Sequence, residues 1–177
     1  MPGAYGSAYA GTKITTFEEA LKLCRAYDMY VRFEVKTVQN DSEVDYLASF
    51  IKKYGMTKQS CICFDLAYSR VKSYNDRIAA IDDYIDLSLY KTVPDTEMIT
   101  DLLTWKNGKR KVWYDYEART TPPDDNLINQ IRANDLLIYM GGWTGADFAP
   151  MFNYPYDKLS VADIEFPVLE SIDLIER

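Results

Sequence analysis

Hydrophobic and polar positions switch between two periods along this chain, and the switches mark out its elements. Thr15 or Thr16 offers an N-cap, Glu18 and Glu19 fall in the first turn, and Phe17, Ala20, Leu21, Leu23 and Cys24 recur at helical spacing. They predict a helix ending near Asp28. From Met29 to Thr37 the period drops to two. Val31, Phe33 and Val35 point one way and Arg32, Glu34 and Lys36 the other, as in a strand. Asn40, Asp41 and Ser42 open a second helix, striped by Val44, Leu47, Ala48 and Ile51 and stopped at Gly55. The same succession predicts strands over 60–65, 85–90, 111–117 and 136–140. It predicts helices over 70–84, from Pro94 to Asn107-Gly108, and from Pro122 through Ile131. Gly141-Gly142 ends the last strand, residues 141–155 read as a long aromatic loop, and 166–175 as a closing helix with Pro167 in its first turn. The small, Gly-rich start predicts a flexible arm over residues 1–14, leaving one domain over 15–177.

Strands thus recur roughly every 25 to 30 residues with a helix between them, the signature of βα units and a parallel sheet. A doubly wound sheet and a (β/α) barrel both fit. A complete eight-stranded barrel needs about 250 residues. Five strands are predicted here, so a barrel would be incomplete, lacking its beginning.

Composition narrows the chemistry. The 177 residues are 47% hydrophobic and 14% aromatic, enough to build a core. There is no histidine, which excludes Ser-His-Asp and Cys-His catalysis by these residues and removes the commonest zinc ligand. A net charge of −7 disfavours nucleic acid as a partner. The basic cluster at 106–111 reads as a solvated turn before a strand. Cys61 and Cys63 are i, i+2 neighbours on one strand face, poorly placed for a disulfide, and read as buried free thiols. No apolar run approaches the ~20 residues of a membrane span, and no secretory segment is expected at the N-terminus.

Parallel α/β proteins place their sites at the carboxyl ends of the strands. Glu34 and Lys36 are the sharpest pair there. Facing a barrel interior, the carboxylate could ligate Mg²⁺ or Ca²⁺ and the lysine neutralise a bound phosphate; on an edge strand the same face is simply solvated. Asp65, Asp115 and Glu117 either add metal ligands or serve structure, the last two facing solvent or pairing with Arg110 or Arg119. Trp113 is a packing residue or a pocket wall. Trp143, Phe148, Phe152, Tyr154 and Tyr156 form an aromatic surface for a sugar or partner, or a lid folded over the core.

Residues 15–24 (TTFEEALKLC), followed after a short gap by 31–36 (VRFEVK), resemble the glycerophosphodiester phosphodiesterase family, with its P-T-L-E-E-A-L helix start and E-[LIV]-K strand end. Residues 60–65 (SCICFD) are similar to the family's next strand, with Cys63 where serine is usual. Residues 111–116 (KVWYDY) are similar to its V-x-x-W-T-V-N strand, matching at Trp113 with Tyr114 for the threonine. The likeness runs from about Thr15 to Met140. It implies a TIM barrel and metal-assisted cleavage of a glycerophosphodiester, part of lipid metabolism. It implies Glu34 as a metal ligand with Mg²⁺ or Ca²⁺, Lys36 on the phosphate side and Trp113 beside the substrate. The family's H-R-G block, its E-N-T, an acidic metal pair and a second histidine have no counterpart in residues 1–16. The expectation is therefore a truncated or diverged barrel, a pseudoenzyme inactive as this chain alone, whose ligand is a glycerophosphodiester or another phosphorylated small molecule. The alternative is a non-catalytic barrel-derived binding or assembly domain, with open strand edges supporting a homo-oligomer.

Overall fold

The computed structural model describes residue 11 and residues 13–90, 95–117, 124–143 and 158–161; at 116–117, 140–143 and 158–161 only the backbone is described. Five helices, α1 (Phe17–Ala26), α2 (Asp41–Lys53), α3 (Tyr68–Ile81), α4 (Glu97–Trp105) and α5 (Asp125–Ala133), alternate with strands. The strands are β1 (Val31–Val35), β2 (Ser60–Phe64), β3 (Asp86–Tyr90), β4 (Val112–Glu117), β5 (Leu137–Trp143) and β6 (Lys158–Val161). All five neighbouring pairs are parallel, and the sheet runs β1-β2-β3-β4-β5-β6 in chain order.

The local signals behave as their chemistry demands. Thr16 caps α1 in a full capping box with Glu19. Asn40 and Asp124 cap α2 and α5 through their side chains. Three helices end in the same way. Asp28, Gly55 and Asp135 adopt left-handed backbone just past α1, α2 and α5. The next residue's N–H reaches back to Cys24, Ile51 or Ile131 at 2.8, 3.1 and 3.2 Å. Each helix is thereby turned back toward the sheet.

The register sorts the strand residues into two faces. Ile62, Phe64, Leu87, Leu89, Val112, Tyr114 and Ile138 are buried with Leu21, Val44, Ile51, Val71, Ile78, Leu102 and Ile131 of the helices. That face is the core. The described helices pack on that one side of the sequential parallel sheet, which leaves the other face to different chemistry.

Several expectations are corrected. The strand predicted over 29–37 is five residues long, and the helix predicted over 70–84 starts at Tyr68 and stops at Ile81. Gly141-Gly142 does not end β5, which runs through both to Trp143. A sixth strand, β6, follows where only five were predicted. The basic turn at 106–111 is not wholly solvated. Arg110 is buried and donates to the carbonyl oxygens of Asp82 and Asp83, clamping the entrance to β3. The predicted arm (apart from residues 11, 13 and 14), the closing helix at 166–175 and the loop aromatics Phe148, Phe152, Tyr154 and Tyr156 lie outside the described residues.

Candidate functional site

The face turned away from the helices carries Arg32 and Glu34 from β1, Cys61 and Cys63 from β2, Asp86 and Ser88 from β3, Trp113 and Asp115 from β4, and Tyr139 from β5. Their groups form three levels along the strand direction.

At the amino end, Asp86 accepts from the Tyr30 hydroxyl at 2.6 Å and from the Lys111 backbone N–H at 2.6 Å. The Trp113 indole N–H lies 3.5 Å from the same carboxylate. Burial pushes the Asp86 carboxyl up, against the hydrogen bond from Tyr30, and burial likewise pushes the Tyr30 hydroxyl up. Trp113 is buried here, tilted against the Tyr30 ring.

The middle level is organised by Asp115, which is buried. One of its oxygens accepts from Ser88 Oγ at 2.6 Å, from Cys63 Sγ at 3.0 Å and from Arg32 Nη2. The Arg32 guanidinium also stacks 3.8 Å above the centre of the Tyr139 ring. Burial pushes the Asp115 carboxyl up, and Arg32 beside it pulls the other way. Burial opposes the charge on Arg32, and Asp115 is foremost among the neighbouring groups that together offset that cost and hold the guanidinium protonated. Two buried atoms of the pair, Asp115 Oδ1 and Arg32 Nε, have no hydrogen-bond partner. Burial raises the Cys61 and Cys63 thiols well above their ordinary range, so neither is poised as a nucleophile.

These contacts also measure the shape of the sheet. In a flat sheet β1 and β4 stand about 14 Å apart, three strand spacings, and β5 stands a further ~5 Å away. Arg32 bonds Asp115 on β4 and stacks on Tyr139 of β5 directly. The sheet therefore curls toward its polar face.

At the carboxyl end, where β1 and β2 run out, Lys36 Nζ lies 2.5 Å from Glu34 Oε1 and 2.9 Å from Asp65 Oδ2. All three side chains are about half exposed or more. The hydrogen bonds that Lys36 donates to Glu34 and Asp65 raise its ammonium above the ordinary range, so it is charged at any physiological pH.

Of the residues singled out from the sequence, then, Glu34, Lys36 and Asp65 come together. Asp115 lies below them, engaged by Arg32 rather than by Arg110; Arg119 lies outside the described residues. Trp113 sits lower still, on Asp86. Glu117 pairs in register with Gly141, and Trp143 with Val161; their side chains lie outside the described residues. Tyr30, Asp86, Ser88 and Tyr139 join the site only in the structure. Asp86 and Ser88 alternate with Ile85, Leu87 and Leu89, the one signal in the sequence that sets them on the face opposite the core.

No three His, Cys, Asp or Glu side chains among the described residues converge as a metal cage. The Lys36 group instead offers two exposed carboxylates on adjacent strand ends. That donor set fits a hydrated Mg²⁺ or Ca²⁺ shared with a phosphate, since such ions are commonly held by one or two carboxylates plus substrate oxygens. Among the described residues no helix is long and apolar enough to cross a membrane. The chain matches no protein-family model and no curated protein.

Proposed function

We propose that this chain is a glycerophosphodiester phosphodiesterase-like (β/α) barrel domain that binds a phosphorylated small molecule without hydrolysing it by its own residues. The observation that carries the reading is the meeting of Glu34, Lys36 and Asp65 at the carboxyl ends of β1 and β2. Sites of parallel α/β folds lie there. The sequential strand order and the curl of the sheet support a barrel wall rather than a doubly wound sheet.

The charges specify how a ligand is taken. One ammonium between two carboxylates leaves the group net negative, which repels a phosphate on its own. A divalent cation on Glu34 and Asp65 reverses that sign and frees Lys36 to donate to a phosphate oxygen. The cation supplies charge neutralisation of the bound phosphate.

Turnover is a separate demand. Expelling an alkoxide calls for a proton donor and activating water calls for a base. The chain has no histidine for either role. Of the two buried carboxyls of the polar face, Asp86 accepts from the Tyr30 hydroxyl and the Lys111 N–H, and Asp115 accepts three hydrogen bonds on one oxygen and faces Arg32, arrangements that hold both as acceptors.

The test is the purified chain with glycerol 3-phosphate and with a glycerophosphodiester, each with Mg²⁺ or Ca²⁺ and with a chelator. Expected are cation-dependent binding, loss of it in Lys36→Ala and Glu34→Gln, and no release of glycerol phosphate. Binding that ignores both the cation and Lys36 would overturn the site. Metal-dependent turnover lost in Glu34→Ala would overturn the claim of inactivity.

A further inference from the structure

We propose that Arg32 is the specificity-determining residue of the site at the ends of β1 and β2, its open Nη1 donating to an uncharged hydroxyl at the far end of a short phosphate ester. This rests on the phosphate reading above and narrows it to a class of ester. Arg32 and Glu34 are alternate residues of β1 and share the polar face. Glu34 belongs to the Lys36 group, and Arg32 is the next residue below it on that face. Alternate residues of a strand stand about 7 Å apart. A chain of two or three carbons covers that step from a phosphate held at the Lys36 group.

The guanidinium is fixed on two sides. Nη2 donates to Asp115, and the group stacks 3.8 Å from the centre of the Tyr139 ring. Nε is enclosed. Nη1 differs from both. It is neither enclosed nor hydrogen-bonded among the described residues, and the side chain keeps 22% of its surface exposed. A donor held in place before the ligand arrives costs little ordering on binding. Ser88 Oγ and Cys63 Sγ already donate to Asp115, so neither competes with Nη1 for the ligand.

Charge decides what Nη1 takes. Arg32 is paired with Asp115, so together they present a donor without net charge. A second anionic group would give up its water and find no uncompensated cation in return. An ammonium would meet the guanidinium. A hydroxyl loses least on leaving water and gains a hydrogen bond from a charged donor. The deep end of the site therefore selects against phosphate esters with a carboxylate, a second phosphate or an amine at the far end.

The experiment is a calorimetric titration of the full chain, with Mg²⁺ present, using inorganic phosphate, propyl phosphate, glycerol 3-phosphate and 3-phosphoglycerate. Glycerol 3-phosphate adds hydroxyls to the chain of propyl phosphate, and 3-phosphoglycerate ends in a carboxylate. Glycerol 3-phosphate is expected to bind about tenfold tighter than either of the other esters. Arg32→Lys keeps a cation for Asp115 but has no second nitrogen. Once circular dichroism shows it folded, it is expected to bind propyl phosphate as the parent does and to lose the preference for glycerol 3-phosphate. The comparison of esters on the parent chain decides the matter even where that variant does not fold. Equal binding of glycerol 3-phosphate and propyl phosphate, tighter binding of 3-phosphoglycerate, or a preference that survives in folded Arg32→Lys overturns the role of Arg32 and leaves the phosphate site standing. No binding of inorganic phosphate or of any ester overturns the phosphate site and the role of Arg32 with it.

Discussion

Arg32 and Asp115 meet over the polar face from strands three apart, and the buried Asp115 carboxylate is tolerable there because of the partly buried guanidinium beside it. Removing one partner leaves the other stranded. Arg32→Met is expected to cost about 3–5 kcal/mol in urea unfolding at neutral pH, and Arg32→Met with Asp115→Leu much less than the sum of the single losses. The pH dependence follows from burial, which raises the Asp115 carboxyl above its ordinary value of 3.8. Between the unfolded and folded values the native state binds the extra proton, so this group's contribution to stability falls as pH rises. Without Arg32 the cost of ionising Asp115 grows, so the deficit of Arg32→Met is expected to shrink as pH falls from 7 toward 4. A deficit constant with pH would contradict the pairing. Strand alternation was enough to put Arg32, Glu34 and Lys36 on one face. It could not separate their fates, because the partner of Arg32 lies 83 residues away and is reached only through the curl of the sheet.

Elements were read from capping and periodicity, and most exist where those signals stand. Thr16→Ala is expected to lower stability by about 1 kcal/mol, since it removes one half of the capping box on α1. Gly55 is the other sharp case. Its φ is +68°, and a Cβ there would lie 2.7 Å from Arg25 Nη1, the group that donates to the Tyr54 carbonyl. Gly55→Ala is expected to cost about 1–2 kcal/mol, most of it backbone strain, with a smaller effect in an Arg25→Ala background. Equal losses in both backgrounds would remove Arg25 from that account. What was illegible has a common cause. Gly141-Gly142 reads locally as a stop, yet pairing with β4 carries β5 through both glycines. β6 is four residues long and is defined by its ladder to β5 rather than by any period of its own.

At the scale of the whole molecule, sequential parallel order puts the helices on one side and gathers charge on the other, and the curl brings distant strands within side-chain reach. The βα succession was legible because it is local. The sequential strand order was not, because a doubly wound sheet shares that succession and differs in the order of its strands. Of the site, the carboxyl-end trio was within reach of the sequence, since Glu34 and Lys36 share a strand face and Asp65 closes the next strand. The Asp86 and Asp115 networks depend on pairing across three or four strands. The most direct measurement is a calorimetric titration of glycerol 3-phosphate into the chain and into Lys36→Ala, with Mg²⁺ and with chelator. The expected result is binding by the parent chain only with the cation, weakened about ten- to a hundredfold in Lys36→Ala, the loss of one charge-assisted hydrogen bond. Equal binding by the two proteins, or none under any condition, would contradict a phosphate site at the ends of β1 and β2.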